Sequence, residues 1–189
     1  MIEMPKLTPH LDRQEVIEKS WVITLSGSRF NILKPDPELV QLSDIAASLS
    51  RQARFNGHTK YFFSVGQHSC LGALQALKEY GKKEAQWMLF HDATETYIGD
   101  LVSPIKRLLP DFEVIESRIQ WAICRKFNLE FPAPKYVKAM DRRLLATEVR
   151  DLITSDLASW GIQPNEPYDF KITPWPVEVT EDEFLNLAR

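Results

Sequence analysis

Three separated pieces of the sequence carry side chains able to hold a metal ion: His68 in Gln67-His68-Ser69, the pair His91-Asp92, and Asp141 in Met140-Asp141-Arg142. Two imidazoles and two carboxylates are mixed nitrogen and oxygen donors, suited to one divalent transition ion such as Mn, Fe, Co, Ni or Zn, with Mg also admissible. No thiolate stands in these pieces to favour the soft, closed site of a structural zinc. An octahedral ion with four protein ligands keeps room for water and a phosphate oxygen, and it lowers the pKa of that water toward neutrality. A lone histidine on an apolar helix, or a lone His-Asp dipeptide, is ordinary in proteins that bind no metal. The set gains weight because each piece falls in a predicted helix, so three helices can converge on one point as ligand sites in bundles do.

Charged neighbours extend the pattern. Glu95 follows His91 by one helical turn, which predicts that both project from one helix face. A carboxylate there can orient water or protonate a leaving oxygen, although most helix glutamates are simply solvated. Asp100 follows Gly99 on the connection leaving that helix, where an ordinary turn residue is the plainer reading. Lys106 and Arg107 bring positive charge that suits phosphate or, equally, a solvated helix start. Upstream, Arg51, Arg54, His58 and Lys60 crowd together just before His68. Arg54-Phe55-Asn56-Gly57 reads as a turn that aims a guanidinium inward, and an arginine fork matches phosphate geometry. Phe55 or Phe62 offers a ring to stack on a base, against a more usual place in a core. His58 suits an outer or substrate contact better than a ligand position.

The elements that must position these residues are mainly helical. Trp21, Ile23 and Leu25 alternate with Val22, Thr24 and Ser26 before Gly27-Ser28 and then Phe30 and Ile32, which predicts a short N-terminal hairpin. Leu39, Leu42, Ile45, Ala46 and Leu49 recur at helical spacing, with Pro37 placed in a first turn. A second helix is expected from near Val65 to Gly81, and a third through Trp87, Leu89, Phe90 and Ala93. A fourth runs through Phe112, Ile115, Ile119 and Ile123. A fifth spans Val137 to about Trp160-Gly161, and a short acidic helix begins near Glu181. The fold expected is all-α, a single helical domain over residues 1–189. Its motif core lies at about 40–160, between an N-terminal extension (1–39) and a C-terminal tail (161–189).

Composition agrees with one soluble globular domain: 44% hydrophobic and 26% charged residues, with 7 glycines among 189. A formal charge of −3 speaks against long nucleic acid as partner. No apolar run approaches the roughly 20 residues of a membrane span, and the N-terminus lacks an apolar signal, so a cytoplasmic protein is expected. Cys70 and Cys124 read as buried, inert thiols.

Taken together, His68, His91-Asp92 and Asp141 resemble the H…HD…D signature of the HD superfamily of phosphohydrolases. The likeness is closest to its bacterial and prophage 5′-deoxynucleotidase branch. It is carried by Arg54-Phe55-Asn56-Gly57-His58, Ser64-Val65-Gly66-Gln67-His68-Ser69, His91-Asp92-Ala93-Thr94-Glu95, Gly99-Asp100 with Pro104-Ile105-Lys106, and Val137-Lys138-Ala139-Met140-Asp141 followed by Leu145-Ala146-Thr147-Glu148. The resemblance implies an HD-domain helical bundle binding one divalent metal through His68, His91, Asp92 and Asp141. It implies Glu95 acting on water or leaving group, Arg54 gripping phosphate, and Asp100 near the sugar disfavouring a 2′-hydroxyl, with Phe55 and Lys106 also facing substrate. The sequence departs from the pattern at Gln67, where some relatives carry Glu, and at Phe55, where that branch tends to have Trp. The activity implied is hydrolysis of (deoxy)nucleoside 5′-monophosphates. The alternative is a deoxynucleoside triphosphate hydrolase, for which Lys60, Lys106, Arg107 and Arg142 are the available cations. Cyclic-nucleotide or alarmone hydrolysis fits less well, since dinuclear relatives need more histidines than this chain's four. A non-catalytic nucleotide-binding protein is the reading from another class. Relatives often form homodimers, and both the N-terminal extension and the helix from Glu181 offer surfaces for one; the extension is also a candidate cover for the pocket.

Overall fold

A computed structural model describes residues 3–189. After a short helix α1 (Gln14–Lys19), strands β1 (Trp21–Ile23) and β2 (Arg29–Asn31) form an antiparallel hairpin with Val22 opposite Phe30. This is the hairpin that the alternation at Trp21, Val22 and Ile23 predicts. Everything that follows is helix, turn or extended connection, apart from a single bridge between Ala53 and Ser64. The all-α reading with an N-terminal hairpin therefore holds.

Pro37 behaves differently from expectation. It opens a separate 3-10 turn, Pro37–Leu39, capped by the Asp36 carboxylate, which accepts from the Glu38 amide. Val40 and Gln41 are extended, so helix α2 (Leu42–Arg51) begins only at Leu42. Helix α3 (Val65–Glu79) starts where Ser64 accepts the Gln67 amide at 3.0 Å, an N-cap that satisfies one of the first turn's unpaired donors. Two glycines let neighbours approach α3. A Cβ on Gly66 would stand 2.9 Å from the Ser50 backbone nitrogen of α2. One on Gly72 would meet Met88 of α4 (Lys82–Phe90) at 2.8 Å and Leu144 of α8 (Lys135–Leu152) at 2.9 Å. His68 lies between these glycines, on the helix that α2, α4 and α8 all crowd.

The stretch expected to continue α4 through Ala93 instead leaves the α-helix after Phe90. Ala93, Glu95, Thr96 and Tyr97 each donate three residues back, to Phe90, Asp92, Ala93 and Thr94, before and within the single turn α5 (Glu95–Ile98). His91 and Asp92 thus sit on a tightened turn rather than mid-helix, and His91 and Glu95 do not share one uninterrupted α-helix. A further turn, α6 (Ser103–Lys106), precedes α7 (Phe112–Phe127). Helix α8 ends at Leu152, well before Trp160, because Ile153 is extended. Ala158–Trp160 is a separate 3-10 turn closed by left-handed Gly161.

The C-terminal helix α9 (Val177–Leu187) begins just after Pro176, earlier than the acidic run alone suggests. It packs on α2 and α3 and places Phe184 in the main core with Phe30, Ile45, Leu49 and Phe90. The N-terminal segment lies along α7. Thr8 and His10 reach Asp111, and Arg118 donates to the carbonyls of Leu33 and Pro5. Both cysteines are buried, and burial pushes the Cys124 thiol up to about 11. Among the described residues no helix is long and apolar enough to cross a membrane.

Candidate functional site

His68 projects from the first turns of α3 into a wholly buried position, where its Nδ1 lies 2.5 Å from Glu148 Oε1. The Nδ1 of His91, just past the end of α4, lies 2.7 Å from the Met88 carbonyl. Carbonyl and carboxylate are acceptors, so each Nδ1–H donates and each Nε2 is left as the electron-pair donor. Those two Nε2 atoms face each other across 3.0 Å. Two lone pairs at that separation repel unless a proton or a cation lies between them. Asp92 Oδ2 stands 3.5 Å from His68 Nε2 and 3.3 Å from His91 Nε2. Asp141 Oδ1, one turn and a half into α8, stands 3.3 and 3.8 Å from the same two atoms. This buried oxygen forms ion pairs with both imidazoles and Arg54, none of them a well-formed hydrogen bond. His68, His91 and Asp92 could hold a metal ion, with one donor atom from each within 4.8 Å of the others.

The electrostatics of the cluster are set by opposite charges packed together. Burial and Arg54 both press His68 toward its neutral form, but Glu148 and Asp141 outweigh them and hold its pKa up at about 10. Burial opposes ionisation of Asp92, yet His91, His68 and Arg54 keep its carboxyl below the usual range. Asp141 is likewise held low against burial by the two imidazoles.

Arg54 is brought in by an unusual turn. Phe55 and Asn56 both have left-handed backbone (φ 57° and 52°), and Gly57 follows at φ 78°. The Arg54 amide donates to the Phe63 carbonyl at 2.9 Å. Non-glycine residues pay on the order of 1–3 kcal/mol for such conformations, and they cluster at functional sites. The turn drives the guanidinium inward, as the sequence suggests. Its Nε donates to Glu148 Oε2 at 3.0 Å, while Nη1 lies 3.3 Å from Asp92 and Nη2 3.7 Å from Asp141.

Above this cluster opens a cavity of about 520 Å³, within the usual range of small-molecule sites. Arg54, Asp92, Glu95, Asp100, Lys106 and Asp141 line it with polar groups, and Phe55, Leu145, Ile153 and Trp160 with apolar ones. Glu95 is buried with Oε2 unpartnered; burial, Asp92 and Asp100 push its carboxyl well above the usual range. Lys106 lies 3.7 Å from Glu95 and donates to Glu116 at 2.9 Å. Asp100 is tied to the end of α2: its amide donates to Gln52 Oε1 at 3.1 Å. Burial above all raises the pKa of Asp100.

Arg54, Phe55, Asp92, Glu95, Asp100, Lys106 and Asp141 thus line one cavity, and His68 and His91 lie beside it against Asp92 and Asp141. His58 lines the cavity mouth outside the metal cluster. Lys60, Arg107 and Arg142 do not line the cavity; Lys60 donates to the Asp151 carbonyl and Arg142 to Glu166. Nor does any described residue of the N-terminal extension, so those residues do not cover the pocket. Phe62 is half-exposed and also outside the cavity wall. Two participants carry no functional role in the sequence reading. Glu148 follows Asp141 by two helical turns, a spacing that could have marked it. Trp160, expected as the end of a helix, is the aromatic wall opposite Phe55, with ring centroids 6.2 Å apart and edge to face; only the fold brings it there.

No family model matches the chain. The uncharacterized protein YfdR of Escherichia coli K12 is 38% identical over 148 residues, which cover 78% of this chain and 81% of YfdR. An uncharacterized protein of Rhodobacter capsulatus is 33% identical over 135 residues, 66% of this chain and 69% of that protein.

Proposed function

We propose a metal-dependent phosphohydrolase activity for this chain, which belongs to the same family as YfdR, with deoxynucleoside 5′-monophosphates as substrates. The carrying observation is the pair of Nε2 atoms facing each other beside the Asp92 and Asp141 oxygens at the floor of a pocket. Metal–ligand distances of about 2.0–2.2 Å put neighbouring donors about 3.0 Å apart in an octahedron and about 3.4 Å in a tetrahedron. The separations of 3.0 to 3.8 Å fit either arrangement after small adjustment. The buried Asp141 oxygen, facing both imidazole nitrogens without a well-formed hydrogen bond, supports a fourth protein ligand. Mixed imidazole and carboxylate donors suit Mn, Fe, Co, Ni or Zn.

A divalent ion held there would polarise the phosphoryl group and supply water as a nucleophile at neutral pH. The remaining work falls to the chain's own residues. Arg54, anchored through Nε, would present its Nη edge to the phosphate oxygens in place of Asp92 and Asp141, which a bound metal also draws. As water adds to phosphorus and the ester bond breaks, Glu95 orients the attacking water or delivers a proton to the departing 5′-oxygen. Asp100, which lines the cavity, is assigned to face the sugar, where its carboxylate would leave a ribose 2′-hydroxyl poorly paired and disfavour ribonucleotides. Phe55 and Trp160 give the base an aromatic wall.

The triphosphate alternative is less well supported. Of Lys60, Lys106, Arg107 and Arg142, only Lys106 lines the cavity, so the positive charge suffices for one phosphate rather than a tail. Phosphate release from metal-stripped protein tests the reading, with Mn, Co, Mg, Ni or Zn added in turn to matched deoxy- and ribonucleoside mono- and triphosphates. Metal-dependent release from deoxynucleoside monophosphates, weaker with ribose, is expected. Release from triphosphates alone would move the assignment to the alternative, and silence across the panel with metal bound would sink both.

A further inference from the structure

Glu148 is the deepest carboxylate of the site, with a wholly buried side chain on α8. A charge placed there is costly unless fully paired, and here each oxygen serves a different function. Oε1 takes the Nδ1–H of His68, the outermost partner of a metal-ligand candidate, at 2.5 Å. Oε2 takes the Nε–H of Arg54, the phosphate-binding candidate, at 3.0 Å. Without the first contact the His68 ring loses both its tautomer and its orientation. Without the second, the guanidinium is held only by Asp92 and Asp141, carboxylates that the metal also claims.

We infer that Glu148 is a two-handed positioning residue, one carboxylate that sets the metal ligand His68 and the phosphate fork Arg54 in a single register. The inference rests on the phosphohydrolase reading for what His68 and Arg54 bind, but not on turnover. A plain structural role for this buried ion pair would lower stability and disturb every ligand alike. A positioning role ties each loss to one hand.

The test is a double-mutant cycle read by calorimetry, using cobalt(II) alone and then inorganic phosphate at saturating cobalt. Glu148→Gln keeps the shape, but its amide cannot accept from both donors. Cobalt affinity is expected to fall about 10- to 100-fold, the usual cost of losing an outer-shell partner. Phosphate affinity is expected to fall about tenfold in the wild-type background and by less than twofold when Arg54 is already Gln. Should Glu148→Gln fail to fold by circular dichroism, Glu148→Asp runs the same cycle: it keeps the charge but is too short for both hands. Cobalt affinity within twofold of wild type, or an equal phosphate loss in both backgrounds, overturns the inference. Wild-type protein that binds neither probe overturns it together with the proposed function. Wild-type protein that binds both and hydrolyses no nucleotide sinks the proposed function alone.

Discussion

Helix α3 has one side built as ordinary core and another built from charge. Toward α2 and α9, Gly66 nearly touches the Leu49–Ser50 backbone, and Val65, Cys70 and Ala73 join a cluster with Ile45, Leu49 and Phe184. Toward α8 and the end of α4, His68 meets Glu148, His91, Asp92 and Asp141, with Arg54 closing the group. On the first side shape decides: removing volume or adding a methyl changes packing. On the second side pairing decides, because each buried charge is tolerable only through its neighbours. The two sides share one helix, so the apolar side serves as the rigid footing that a metal site needs.

Three substitutions bear on that contrast. The largest effect is expected on the charged side: Asp92→Asn should weaken cobalt binding more than about 100-fold, beyond what losing an outer partner costs. Calorimetry checks this, and near-normal binding would remove Asp92 from the ligand set. On the apolar side, Gly66→Ala places a methyl against the backbone of α2, which cannot retreat as a flexible side chain can. Unfolding in urea should show a loss of about 1–3 kcal/mol; an unchanged midpoint would mean that α2 and α3 have slack to part. The smallest effect belongs to the pocket wall. Trp160→Ala should raise KM for deoxynucleoside monophosphates roughly 2- to 10-fold, the worth of one aromatic contact, while leaving a small aliphatic phosphate ester unaffected. Equal loss for both substrates would make Trp160 a prop for the site rather than a base contact.

Much of the fold was legible because its periodicities are local. The apolar repeat in α2 and the glycine after α3 are short-range signals; α3 stands where it was read, and α2 keeps its repeat but starts only at Leu42. Boundaries failed where tertiary contacts overrode the pattern. Pro37 made its own turn because Val40 and Gln41 are extended. The apolar residues beyond Leu152 suggested more helix, yet Asp151 is tied to the returning tail through the Ile172 amide, and the chain turns away. The helical spacing of His91 and Glu95 pointed to one helix face, whereas a tightened turn carries His91 and Asp92 to the end of α4.

By itself the sequence determined the helical class, the hairpin and the donor chemistry. Residue types fix which atoms can bind a cation, and hydrophobic period fixes which segments coil. Only the tertiary structure decided which charges share a cavity. It brought Arg54 to Glu148 across 94 positions and His68 to the same carboxylate across 80. It set Trp160 against Phe55, and it turned Lys60, Arg107 and Arg142 away from the pocket. No local pattern encodes those outcomes, because each depends on where a distant helix comes to rest once apolar surfaces are buried.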